Sequence, residues 1–135
     1  MKYFNIAELS DSAVARRLKI NNKPDAAVVE NLKALVQYVL DPAREALGER
    51  VMVNSGYRSP SLNRCVGGAV DSQHVKGEAA DLRTRSAEGN RRLFEILKTL
   101  PFDQLIWERG NDKAPAWIHV SYKRNGNNRG EVLRL

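Results

Sequence analysis

The sequence predicts an α+β domain in which N-terminal helices pack on a small, mostly antiparallel sheet. Helical periodicity occupies the first third of the chain, whereas short strand patterns cluster towards its end. This order favours α+β over alternating βαβ architecture. The chain has 135 residues, of which 42% are apolar and 28% charged. Because this size and composition are typical of one globular unit, we predict a single domain over residues 1–135.

Two helical patterns precede the first strand. A short helix is predicted over residues 10–18. The longest helix is predicted over residues 24–47, where apolar side chains recur at steps of three and four residues. Pro24 suits its first turn, and Gly48 suits its stop. Pro42 breaks the hydrogen-bond ladder inside this helix, so we expect a kink or two abutting helices there.

The rest of the chain combines strand patterns with two more helices. Val51–Val53 gives the first strand signal, and Ser59 followed by Pro60 predicts the cap and first turn of a helix that ends near Cys65. The later elements are a strand at 78–82, a helix from the Ser86 cap to about residue 100, strands at 103–108 and 117–122, and an edge strand at 131–135. A turn-rich segment predicts that the strands at 103–108 and 117–122 form an antiparallel hairpin.

Cysteine content and hydropathy bear on where the chain folds. Its one cysteine, Cys65, cannot form an internal disulfide, so folding does not depend on an oxidising compartment. We expect Cys65 to be a small packed residue. The N-terminal segment lacks the apolar run of a signal peptide, and no apolar stretch reaches the length of a membrane span. We therefore predict a chain made in the cytoplasm, without signal peptide or membrane span, and we expect a monomer.

The net charge restricts the class of partner. With 22 Lys and Arg against 16 Asp and Glu, the charge of +6 attracts polyanions such as nucleic acid, anionic lipid or anionic cell-wall polymer. The basic residues are scattered along the chain and are not accompanied by an aromatic stacking motif. These features disfavour a metal-dependent nuclease or a nucleic-acid binder, so we predict no nucleic-acid partner.

The segment SQHVKGEAADL, residues 72–82, places one of only two histidines seven residues before an aspartate. Zinc binds histidine nitrogens and carboxylate oxygens, and a catalytic site commonly leaves the fourth position to water. Gly77 can turn the chain between His74 and Asp81, and the two alanines leave room beside a metal ion. Strand alternation puts His119 opposite the aliphatic face, so two strands and a loop can bring the three side chains together.

Spacing alone leaves a structural interpretation of these residues open. A histidine on a strand is more often a hydrogen-bonded residue than a metal ligand. Gly77 could serve the turn alone, and Asp81 could cap the chain or pair with Arg83. One histidine and one aspartate at this spacing are therefore a weak signal by themselves.

Five ordered motifs together resemble a known family. They are SGYRSPSLN at 55–63, VGG at 66–68, SQHVKGEAADL at 72–82, FDQLIWE at 102–108 and WIHVSY at 117–122. Over most of its length the chain resembles the zinc D-alanyl-D-alanine carboxypeptidases of the M15 peptidase family, in particular the short bacterial and phage peptidases of group M15A. The resemblance implies a Hedgehog/DD-peptidase-like α+β fold with a zinc cleft on the open face of the sheet.

The same resemblance implies one zinc ion per chain, bound by His74, Asp81 and His119. It also implies that Arg58, in the SGYRS turn, points into the cleft. The planar guanidinium of Arg58 suits a substrate carboxylate or a polarised carbonyl oxygen, and its alternative role is to stabilise the turn.

Other residues near these motifs have two open roles. Ser72 and Gln73 either contact the backbone of a substrate peptide or satisfy amides of their own loop. Trp107 and Trp117 are candidates to line the cleft, although we expect at least one of them to pack in the core.

The general base is the part of the site where the chain departs from many members of the family. Those members carry an acidic residue or a histidine a few positions before the last ligand, whereas residues 114–116 here are Ala, Pro and Ala. Our candidate is Glu108, because a hairpin would set its carboxylate near His119. Asp112 and Glu78 are the acidic alternatives, and Glu108 could instead be a solvated hairpin residue.

The expected activity is that of a zinc metallopeptidase acting on the stem peptides of peptidoglycan. The resemblance implies a D-alanyl-D-alanine carboxypeptidase or a related endolysin-type peptidase, with a D-amino acid at or next to the cleaved bond. Without a signal peptide, we expect access to the cell wall through phage-type release or a non-standard export route. The rival hypothesis is a catalytically inactive, zinc-bearing module that binds cell-wall peptide or another protein.

Overall fold

The structure is a computed structural model that describes residues 1–135, and it confirms the α+β class. Helices dominate the N-terminal half, and the strands form one sheet. The helices are α1 Ile6–Leu9, α2 Ala13–Leu18, α3 Ala26–Leu35, α4 Asp41–Leu47, α5 Pro60–Cys65 and α6 Ala87–Leu97. The strands are β1 Met52–Ser55, β2 Ala79–Arg83, β3 Gln104–Glu108, β4 Trp117–Ser121 and β5 Glu131–Arg134.

The five-stranded sheet has the order β1-β2-β4-β3-β5. β1 with β2, β2 with β4, and β3 with β4 pair antiparallel, which confirms the predicted hairpin of β3 and β4. β5 pairs parallel with β3 at the edge of the sheet. Asp103 anchors this edge, since its buried carboxylate accepts hydrogen bonds from Arg129 and its carbonyl oxygen accepts from the backbone N–H of Glu131.

One face of the sheet carries the hydrophobic core, and the other face stays open. Leu82, Leu105, Ile118 and Val120 are almost fully buried on the core face, beside residues of α3, α4 and α6. Trp107 belongs to this core, where its ring meets that of Phe94 edge to face. Burial of such side chains stabilises a fold by about 1.5–3 kcal/mol each. Packing on the core face therefore fixes the register of the strands, and with it the positions of the side chains on the open face.

The long helical segment differs from its prediction at both its start and its middle. Asp25, and not Pro24, opens α3, because the Asp25 carboxylate accepts the backbone N–H of Val28. A π-helical turn over Val36–Leu40 joins α3 to α4. The expected break at Pro42 therefore takes the form of this wide turn, which passes directly into the first turn of α4, where the missing N–H of proline is tolerated.

Three further local predictions can be compared with the structure. The helix predicted at 10–18 is confirmed at its end, Leu18, but it begins later than predicted, because Ser12 caps α2 and Ser10 ends a separate helix α1. The caps at Ser59 and Ser86 are confirmed. The expectation that Cys65 is packed is wrong: the cysteine is exposed, since the buried side of α5 consists of Leu62 and Asn63. The helices are all too short or too polar to cross a membrane.

Candidate metal site and cleft

Asp81 and His119 face each other on neighbouring strands of the open sheet face. In the antiparallel register of β2 and β4, Asp81 lies directly opposite His119. Alternation turns Ala80 and Leu82 of β2, and Ile118 and Val120 of β4, towards the core. The predicted orientation of both strands is confirmed. His119 Nδ1 lies 3.1 Å from Asp81 Oδ1.

His74 reaches the same place from the tight loop before β2. The backbone N–H of Val75 donates to the carbonyl oxygen of Ser72, and that of Glu78 donates to the carbonyl oxygen of Gln73. Gly77 has φ +74°, and a Cβ there would lie 2.7 Å from Val28 Cγ1. Both the left-handed backbone and the close packing on α3 require glycine, so the predicted sharp turn between His74 and Asp81 is confirmed.

The carbonyl oxygen of Gly56 sets the protonation pattern of His74. His74 is 3% exposed, and its Nδ1 lies 2.7 Å from Gly56 O. A carbonyl oxygen only accepts, so Nδ1 carries the hydrogen. In the neutral imidazole, the form that binds metals, Nε2 then has a free lone pair. This Nε2 is 3.4 Å from Asp81 Oδ2, inside the cleft.

His74, Asp81 and His119 form a group that could hold a metal ion. One ligand atom from each residue lies within 4.8 Å of the others. Burial tends to raise the pKa of Asp81, but the hydrogen bonds and charges of His119 and His74 outweigh it and hold that pKa well below its ordinary value. The carboxyl is therefore ionised and ready to coordinate. Two imidazole nitrogens and one carboxylate oxygen fit zinc with a fourth position left open.

Arg58 borders the cleft at the end of the SGYRS turn. The backbone N–H of Arg58 donates to the carbonyl oxygen of His74 over 3.1 Å, which ties this turn to the histidine loop. Its side chain lines a cleft of about 560 Å³ that contains the three candidate ligands. Burial lowers the pKa of the Arg58 guanidinium, and the charge of Asp81 opposes that shift. Arg58 Nε is buried and has no hydrogen-bond partner within the chain.

Glu108 lines the cleft with the candidate ligands, and the other acidic residue there, Asp71, is exposed. Glu108 pairs with Trp117 across β3 and β4, two residues along from the Ile106 and His119 pair. Burial, and then the charge of Asp81, raise the pKa of the Glu108 carboxyl, while His119 and Arg109 oppose them. Glu108 is therefore a partly buried carboxylate whose pKa responds to the charges of Asp81 on β2 and His119 on β4.

The two alternative acids lie elsewhere. Glu78 directly precedes β2, and strand alternation puts its side chain on the same face as that of Ala80. It lines a separate hollow with Asn31 and Arg124. Asp112 is fully exposed in the β3–β4 connection, where it forms an ion pair with Arg134. Neither side chain borders the cleft.

The sequence profile of the family described as Peptidase M15 matches residues 2–121 of this chain. The chain belongs to the peptidase M15 family. One curated relative of this M15 family member is the zinc D-Ala-D-Ala carboxypeptidase of Streptomyces albus G, which is 39% identical over 85 residues. The match covers 62% of this chain and 33% of the relative. The M15 chain therefore aligns with about a third of the length of that protein.

The other residues predicted to lie at the site contact groups of the same chain near the cleft. Ser72 Oγ accepts the backbone N–H of His74 over 3.2 Å. The Gln73 amide lies between His119 and Asp103. Trp117 lines the cleft, whereas Trp107 packs in the core, in agreement with the expectation that at least one tryptophan does so. A substrate contact of Ser72 or Gln73 stays a prediction.

Gly56 and Asp103 are the supporting residues that sequence reasoning missed in this M15 chain. Gly56 was assigned only to a turn, and its neighbour Tyr57 donates its backbone N–H to the carbonyl oxygen of Leu9. Asp103 was placed at the start of a strand, without a partner. The available signal for Gly56 was its place directly after a strand, where glycine often marks a close backbone approach. Asp103 carried no such signal.

Replacing Gly56 with alanine is expected to destabilise the M15 chain by roughly 1–3 kcal/mol. The added Cβ would lie 2.1 Å from the carbonyl oxygen of Leu9, so the turn must move and take its own carbonyl away from His74. Urea unfolding followed by circular dichroism measures the change. Val70→Ala is the control, because Val70 is 94% exposed. A Gly56→Ala variant no less stable than this control would contradict the prediction.

Proposed function

We propose that this M15 family member is a zinc metallopeptidase that hydrolyses peptide bonds in peptidoglycan stem peptides, as a D-alanyl-D-alanine carboxypeptidase or a related endolysin-type peptidase. The observation that carries the proposal is the convergence of His74, Asp81 and His119 in one cleft with Glu108 and Arg58. The similarity to the zinc D-Ala-D-Ala carboxypeptidase of Streptomyces albus G supports both the metal and the class of substrate.

In this proposal His74 Nε2, the Asp81 carboxylate and a ring nitrogen of His119 hold one zinc ion per chain. When bound, zinc supplies Lewis acidity that polarises a scissile carbonyl and lowers the pKa of a water to about 7. Asp81 is ionised at neutral pH because of its low pKa, so it partly neutralises the ion without first losing a proton.

Glu108 moves the proton in the proposed reaction. Its carboxylate accepts the proton of the attacking water and then delivers it to the leaving amine nitrogen. Because the pKa of Glu108 is raised by burial and by Asp81, its carboxylate is a stronger base than that of an exposed glutamate, and it holds the accepted proton until the leaving amine takes it. The same side chain can therefore serve both halves of the hydrolysis.

Arg58 binds the negative charge of the substrate. The Arg58 side chain borders the cleft. Its guanidinium donates hydrogen bonds to a terminal carboxylate of the peptide or to the oxyanion that develops at the scissile carbonyl. A cation that is partly buried binds such an anion more strongly than an exposed one does.

The net charge of +6 favours an encounter with an anionic cell wall. We propose access to that polymer through phage-type release or a non-standard export route. The protein is expected to act there as a monomer, with no nucleic acid as substrate.

Mass spectrometry of purified muropeptides after incubation with the protein tests this function. The expected result is loss of a terminal D-alanine or cleavage of one internal stem-peptide bond, abolished by a chelator and restored by added zinc. Products that form equally in the presence of the chelator would contradict the proposal. The mass of the product identifies the bond that is cut.

A zinc-bearing binding module without catalysis is the second candidate function. It is favoured by the Ala, Pro and Ala at 114–116, where many family members carry an acidic residue or a histidine. Protein that contains one zinc per chain, binds muropeptides and leaves them intact would establish this module in place of the peptidase.

A further inference from the structure

The side-chain amide of Gln73 lies between His119 and the buried Asp103. Its Oε1 is 2.9 Å from His119 Nε2, and its Nε2 donates to Asp103 Oδ2 over 2.9 Å. We propose that Gln73 is a positioning residue that holds the proton of His119 on Nε2 and thereby leaves Nδ1 as the zinc-binding nitrogen. The inference rests on the zinc site of the proposed function and adds the group that prepares its third ligand.

Asp103 decides which way the Gln73 amide points. Asp103 is 0% exposed, and Arg129 donates to it from the backbone N–H, from Nε at 3.0 Å and from Nη2 at 2.9 Å. Burial tends to raise the pKa of Asp103, but these hydrogen bonds outweigh it and keep that pKa low. An ionised carboxylate only accepts hydrogen bonds. The NH₂ group of Gln73 must therefore face Asp103, and its oxygen must face His119.

The orientation of this amide in turn selects the protonated nitrogen of His119. Gln73 Oε1 can only accept, so the facing His119 Nε2 carries a hydrogen. Nδ1, which lies 3.1 Å from the accepting carboxylate of Asp81, is then the nitrogen that gives up its hydrogen and offers its lone pair when zinc binds. Because the amide also clamps the ring, it fixes the direction of that lone pair.

The two histidines therefore carry their ring hydrogen on opposite nitrogens. Gly56 O holds the hydrogen of His74 on Nδ1 and frees Nε2, whereas Gln73 Oε1 holds that of His119 on Nε2 and frees Nδ1. Both free nitrogens are adjacent to the Asp81 carboxylate. Outer partners of this kind typically change metal affinity by about 10- to 100-fold when removed.

Zinc affinity of the Gln73→Leu variant tests the inference through binding alone. Leucine lacks an acceptor, so we expect zinc affinity, measured by competition with a chromophoric chelator, to fall by about 10- to 100-fold. The control is Gln104→Leu, because Gln104 lines the same cleft but bonds to Glu131.

Long-range ¹H–¹⁵N spectra of the zinc-loaded wild type provide a second readout. The chain has only two histidines, so both imidazoles can be assigned. We expect His119 to carry its hydrogen on Nε2 with Nδ1 bound to metal. Zinc bound through His119 Nε2 in the wild type would overturn the inference, even if the Gln73→Leu variant failed to fold. A folded Gln73→Leu variant with the zinc affinity of the wild type would overturn it as well. A wild type that binds no zinc would instead overturn the proposed function beneath it.

Discussion

The Asp81→Asn variant is expected to lose zinc binding and peptide hydrolysis together. Asp81 lies between the two histidines, with one carboxylate oxygen facing each imidazole, and it supplies the only negative charge among the three ligands. Even the loss of an outer hydrogen-bond partner lowers metal affinity by about 10- to 100-fold, so the loss of this ligand should lower it by more than about 100-fold. Zinc content after dialysis and muropeptide cleavage are the two measurements.

Asp112→Asn is the matched control for this prediction. It makes the same change of acid to amide at a fully exposed residue outside the cleft. We expect it to keep both zinc and activity. A folded Asp81→Asn variant with the zinc content of the wild type would show that the metal binds elsewhere.

The Glu108→Gln variant is expected to keep zinc and lose turnover. Glu108 lies in the cleft but is not among the three candidate ligands, so zinc content should stay at one per chain. An amide cannot accept the proton of the attacking water, and loss of a general base typically lowers kcat by about 10²- to 10⁴-fold. KM should change little, because the proton transfer belongs to the transition state.

Glu78→Gln is the matched control, since Glu78 was the alternative acid on the same sheet and lines a different hollow. It should retain the wild-type kcat. If Glu108→Gln turned over like the wild type while Glu78→Gln did not, the assignment of the base would be wrong.

The candidate ligands could be predicted because each depends on a local pattern. The alternation of WIHVS identifies the face of His119, and a glycine between His74 and Asp81 identifies the turn that joins them. The family resemblance then favoured a metal site over a purely structural role for these residues. The helix caps were predictable for the same reason, since Ser59 and Ser86 act on amides three residues away.

The supporting contacts could not be predicted because they join residues far apart in sequence. Gln73 and Asp103 are 30 residues apart, and Gly56 and His74 are 18 apart. Their meeting depends on the order of strands in the sheet, which local patterns do not specify. The parallel pairing of β5 with β3 likewise joins distant residues, such as Gln104 and Glu131.

Anomalous diffraction at the zinc edge from crystals of the zinc-loaded protein is expected to show one zinc per chain, in contact with His74 Nε2, the Asp81 carboxylate and His119 Nδ1 at about 2.0–2.2 Å, with a fourth position open to the cleft. A fully loaded crystal whose zinc lies away from these three side chains would contradict the proposed zinc site.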